Sequence, residues 1–120
     1  MPHIFRMPKP THTIVETRAF TSRLDKIDVS NEERAAIYDA YAANPKFGAV
    51  IRETGGLRKG RVAKEETGKS GGYRVLSYYA NESNPVFLLW IIDKTKDDTI
   101  SDEQKKAFRK VIAELRKELK

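Results

Sequence analysis

Apolar residues recur at two different periods along this chain, and the switches between them mark its elements. Ala36, Ile37, Ala40 and Tyr41 recur at three- and four-residue spacing, and so do Phe108, Val111, Ile112, Leu115 and Leu119. That spacing predicts two helices, each with one apolar stripe. Both stretches open on a capping box, Ser30 with Glu33 and Ser101 with Gln104, which supplies the amide donors of the first turn with partners. Pro45 ends the first of them near Asn44, because the residue before a proline avoids the α region. Phe20 and Leu24 predict a shorter helix over Arg18 to Lys26, set apart by Asp28 and the Ser30 cap.

Between the long helices the pattern shortens to strand-sized runs. Residues 57–63, 73–80 and 86–93 read as strands, with a turn at Asn81-Glu82-Ser83-Asn84-Pro85 and a charged, glycine-rich connection from Glu65 to Gly71. Thr11 to Glu16, with Ile14 and Val15, suits a short first strand. Val86 to Ile92 is apolar on both faces, which predicts a strand inside the sheet rather than at its edge. Strand, two helices, three strands, helix gives an α+β class: a small antiparallel sheet with the N-terminal helices and a C-terminal helix packed on it. Residues 1–11, with Pro2, Pro8 and Pro10, are expected to form a flexible tail before a single domain over residues 12–120.

Composition narrows the chemistry. With 120 residues and no cysteine, a single core without disulfides is expected, and thiolate metal sites are excluded. His3 and His12 are the only histidines, both near the start, so no transition-metal site and no cofactor are expected. Asp93, Asp97, Asp98 and Asp102 cluster late in the chain, where turn formation and charge at a helix N-terminus account for them. No run reaches the roughly 20 apolar residues of a membrane helix, and the start lacks a secretory apolar region, so a cytoplasmic protein away from membranes is expected.

The net charge of +6 sits mostly in one place: residues 57–76 hold six Lys and Arg against two Glu. A local excess of this kind points to a polyanionic partner. Side chains alternate along a strand, so Lys59 and Arg61 share a face, and Arg74 joins them if the two strands pair in a suitable register. Three gathered cations repel one another unless an anion sits between them. Arg58, Lys64 and Lys69 would then grip a nucleic-acid backbone, and Tyr73, Tyr78 and Tyr79 could stack on bases, although at least one of these rings is expected to pack in the core. The glycines around them leave room for a ligand at the backbone. Lysine and arginine also protect exposed strands from aggregation, and the pattern alone leaves both readings open. Gly68-Lys69-Ser70 is no phosphate loop, because Ala63 stands where that motif needs glycine.

Several fragments, taken in order, are similar to one family. Asn44-Pro45, Gly48-Ala49-Val50-Ile51, Thr54-Gly55-Gly56-Leu57-Arg58-Lys59 and Gly68-Lys69-Ser70-Gly71-Gly72-Tyr73-Arg74-Val75 resemble RelE-type toxins of bacterial toxin–antitoxin pairs, most closely the HigB-like branch. The likeness runs from about Ile14 to Leu119. It implies a RelE-like fold and a metal-independent mRNA endonuclease that acts on the ribosome, contacting mRNA and rRNA. It also implies inhibition by a cognate antitoxin, often of helix-turn-helix type in HigB-like systems.

By position the family's site falls on Lys59, Arg61, Arg74 and Lys94. In that chemistry the RNA 2′-OH attacks its own adjacent phosphate. Arg61 and Arg74 would clamp the phosphate oxygens, and Lys59 or Lys94 would take part in proton transfer. Some RelE-type enzymes carry a tyrosine on the C-terminal segment. Lys94 to Ser101 contains none, so Tyr73 or Tyr78 substitutes or the step is handled differently. Two other readings compete: a ParE-like toxin that poisons gyrase by protein contact and does not need the Lys59, Arg61 and Arg74 trio, and a non-catalytic RNA-binding module.

Overall fold

The computed structural model describes residues 12–64, 72–94 and 100–119. Its elements are β1 (Ile14–Glu16), α1 (Arg18–Lys26), α2 (Asn31–Ala43), β2 (Ala49–Val50), β3 (Arg58–Val62), β4 (Tyr73–Tyr78), β5 (Val86–Asp93) and α3 (Asp102–Glu118). Both capping boxes form, with Ser30 accepting from the Glu33 amide and Ser101 from the Gln104 amide. Asn44 caps the end of α2 in an extended conformation, as the following proline requires. The class is α+β, with helices packed on a sheet, as the periodicity predicts.

Five strands lie in the order β1-β5-β4-β3-β2. From β2 to β5 every pairing is antiparallel, but β1 runs parallel to β5, so the sheet is mixed rather than wholly antiparallel. A helical connection over α1 and α2 leads the chain away from β1, which frees β5 to pair beside it in the same direction. The two residues of β2 give too short a run to announce themselves as a strand. β5 lies inside the sheet, flanked by β1 and β4, which is why both its faces are apolar.

Two apolar layers sandwich the sheet. On one face, called the back here, α1 and α2 contribute Phe20, Leu24, Ile37 and Tyr41 against Val62, Tyr73, Val75, Leu88 and Ile91. On the front, Ile112 of α3, flanked by Phe108, Leu115 and Leu119, packs on Leu57, Leu76, Tyr78 and Leu89. Val111 departs from the expected stripe and is 42% exposed; at ~100° per residue it falls ~60° to one side of Phe108. A bulge sets Leu76 opposite Trp90 but Ser77 opposite Leu88, so Leu89 is the extra residue and joins Trp90 at the front.

Candidate functional site

The pairing of β3 with β4 decides which charges meet. Arg61 lies directly opposite Arg74, Lys59 opposite Leu76, and Val62 opposite Tyr73. Since Leu76 faces α3, alternation puts Lys59, Arg61 and Arg74 on the same front face. Lys59 and Arg61 are exposed, while Arg74 is buried at 7% exposure. Like charges directly opposite each other destabilise a sheet. Core packing on the opposite face, through Gly60 and Val62, holds them there.

Lys94 follows β5, its amide donating to the carbonyl of Gly72 at 2.9 Å. It therefore lies at the strand ends next to the Arg74 end of β4, two strands away from Arg61. Arg61, Arg74 and Lys94 thus lie toward one end of the sheet, and Lys59 lies two residues further along the same face of β3.

The residues expected to grip RNA fare differently. Tyr73 is wholly buried on the back face, and its hydroxyl donates to Glu33 Oε1 at 2.9 Å. Burial first, and then that carboxylate, push its phenol well above the ordinary tyrosine range. Tyr78 is 5% exposed beneath α3. Neither ring is available to stack on a base, because strand alternation and α3 turn both into core, and neither can replace the missing C-terminal tyrosine. Arg58 points away from the cationic front and is spent on the fold: one guanidinium nitrogen donates to the carbonyls of Lys46 and Gly48 at 3.1 and 3.0 Å. Lys64 forms an ion pair at 3.1 Å with Asp93, whose carboxylate is fully buried. Lys69, the connection 65–71, Asp97, Asp98, His3 and the tail 1–11 lie outside the described residues.

Gly60 also corrects an expectation. Its missing side chain leaves room for Phe47 and Tyr41 at the back, not for a ligand at the front. His12 is structural, its Nε2 lying 2.7 Å from the Asn84 carbonyl and its ring edge-on to Tyr79. Asp102 takes the first turn of α3, as expected of a carboxylate at a helix N-terminus.

Among the described residues, three polar pairings that tie elements together carry no motif in the sequence. Besides Tyr73–Glu33 and Lys64–Asp93, Glu16 accepts from Thr21, Tyr38 and Arg34 and so ties β1 to both N-terminal helices. Burial pulls the Glu16 carboxyl up, but these donors outweigh it and hold the group below the usual carboxylate range. Only the isolated acid on an otherwise apolar strand signals it in the sequence.

The family model described as the RelE toxin of the RelE/RelB toxin–antitoxin system matches residues 14–120. The chain belongs to this family, and is the toxin member of a toxin–antitoxin pair whose partner is an antitoxin. Among the described residues no helix is long and apolar enough to cross a membrane.

Proposed function

We propose that this protein is an mRNA endoribonuclease that acts on the ribosome and blocks translation, with Lys59, Arg61, Arg74 and Lys94 forming its site. The observation that carries the reading is the front-face register, in which Arg61 stands opposite Arg74 with Lys59 one position along. Two guanidiniums that never lose their charge form a clamp for a phosphate whose negative charge grows during reaction. Arg74 is the inner half of that clamp, because a buried cation is less screened by water and its field reaches further.

The bonds made and broken lie within the RNA, and these side chains serve them. The 2′-oxygen forms a bond to the adjacent phosphorus as its proton is removed, the bond from phosphorus to the 5′-oxygen breaks, and that oxygen is protonated. A 2′,3′-cyclic phosphate and a 5′-hydroxyl result. Lys59 and Lys94 are the side chains that can move the protons. With Tyr73 and Tyr78 buried, proton transfer without a tyrosine is the version the site supports. The order of Asn44-Pro45, Gly48 to Ile51 and Thr54 to Lys59 favours the HigB-like branch within the family.

Arg61→Ala tests the reading, since Arg61 is exposed and its removal leaves the core intact. Wild type added to a translating extract should produce new mRNA 5′ ends, and Arg61→Ala should slow their appearance by roughly 10²–10³-fold, the usual cost of losing one transition-state donor. Growth arrest by both proteins without any cleavage would overturn the nuclease and favour a gyrase poison.

A further inference from the structure

The cationic front needs a grip on RNA beyond the reacting phosphate, and Arg58, Lys64, Tyr73 and Tyr78 do not supply it, being tied into the fold or buried. A different group of cations is placed to do so. Arg52 and Glu53, from the turn between β2 and β3, face Asp102, Lys105, Lys106 and Arg109 of α3 across an open cleft of about 280 Å³. The helix that forms one wall packs on the front face, the same side of the sheet as Lys59, Arg61 and Arg74. We infer that this cleft between the β2–β3 turn and α3 is a docking surface for the phosphate backbone of RNA, separate from the reacting site.

Four cations line the cleft against two carboxylates, and among the described residues neither carboxylate forms an ion pair with any of them. Arg109 donates instead to the backbone carbonyl of Glu53 at 3.3 Å, which fixes one wall of the cleft to the other. A concave surface with an excess of two positive charges attracts a polyanion and raises its local density.

The lining also decides the class of partner. All six lining side chains are charged. A docked protein segment needs apolar anchors in a desolvated centre, and this cleft has none. A sugar–phosphate backbone needs only spaced cations and tolerates water between them. The choice of RNA as the polyanion rests on the nuclease reading, whereas the cleft's charge does not.

The test is binding, read apart from cleavage. Arg52→Gln/Lys105→Gln/Lys106→Gln leaves Arg109 to hold the turn. Arg18→Gln/Lys26→Gln/Lys46→Gln removes the same charge from exposed positions outside the cleft. Affinity is measured for a 2′-O-methyl RNA hairpin, which cannot be cleaved, and for purified ribosomes, across a salt series. The cleft variant should bind about 10-fold or more weakly, and its log–log salt slope should be shallower by about two, given ~0.7–0.9 per phosphate contact.

The control variant should lose much less. Equal losses in the two variants would reduce the cleft to a share of net charge and overturn the inference. Unchanged RNA binding with loss of antitoxin affinity would also overturn it, by giving the cleft to the protein partner. Wild type that binds the hairpin through the cleft yet leaves mRNA intact would remove the nuclease reading and keep the docking surface.

Discussion

Gly60→Ala places one methyl group where the site and the core share a strand. Gly60 lies between Lys59 and Arg61, but its α-carbon is turned to the back. A Cβ there would fall 2.6 and 2.7 Å from the Phe47 ring carbons Cδ2 and Cε2, and 2.7 Å from the Tyr41 hydroxyl. Carbon contacts settle at ~3.5–4.0 Å, so the overlap is roughly 1 Å.

Tyr41 is wholly buried with its hydroxyl 3.5 Å from the Val75 carbonyl, and Phe47 stacks edge-on against it with centroids 5.1 Å apart. Neither ring can move without disturbing the other, so the strain passes to β3. Overpacking of this kind costs about 1–3 kcal/mol. The stiffer unfolded chain returns ~0.4–1 kcal/mol. A net loss near 1–2 kcal/mol corresponds to a fall in Tm of roughly 3–10 °C in a domain of this size.

Thermal and urea melts measure it directly. In a Phe47→Ala background the added methyl should cost less, because one clashing ring is gone and Tyr41, which packs on it, gains room to move. A Gly60→Ala protein as stable as wild type, or a penalty unchanged by Phe47→Ala, would refute the packing argument.

Three further outcomes follow from the buried polar groups. Tyr73→Phe leaves the Glu33 carboxylate with the Ser30 amide, at 2.9 Å, but without its phenol donor; it should cost ~1–3 kcal/mol in urea melts and leave RNA cleavage per folded molecule unchanged. A selective loss of cleavage would return Tyr73 to the site. Glu16 has its folded-state carboxyl held below the ordinary 4.5, so the stability it contributes is complete above that value and fades as pH falls through the lowered one. Melts from neutral pH down to acid should show that loss in wild type and a flatter profile in Glu16→Gln. Burial pushes the Tyr41 phenol up to about 12, so its contribution is complete below pH 10, the ordinary value, and is lost as pH rises toward 12. Tyr41→Phe should therefore reduce the alkaline destabilisation seen in melts between those values; an identical alkaline profile would count against its burial.

Elements whose signal is local were legible in the sequence. The two capping boxes, Pro45 and the unbroken apolar run of β5 each depend on neighbours within a few residues, and each is realised where the sequence puts it. The two-residue β2 and the parallel seating of β1 depend on pairing across the chain, which no local pattern reports. The same division runs through the site. Alternation along β3 indicates that Lys59 and Arg61 share a face, but exposure cannot be read from residue type: Tyr73 and Tyr78 look like stacking rings and prove to be core, and Lys64 looks like a free cation and pairs with buried Asp93.

The register that brings the cations together is enforced from the other side of the sheet. Moving β3 by one residue would turn Lys59 and Arg61 toward α2 and present Gly60 and Val62 to the front. Gly60 is the residue that can lie under Phe47 and Tyr41, and Val62 is buried with Tyr73 and Ile91 at the back, so the slip would bury two cations and expose apolar surface at once. Burying an unpaired charge costs several kcal/mol, more than the repulsion between exposed Arg61 and Arg74 opposite it can recover. The repulsive cluster is therefore held by packing that contains none of its members. It follows that Gly60 and Val62 variants with an unchanged front face should still weaken the clamp.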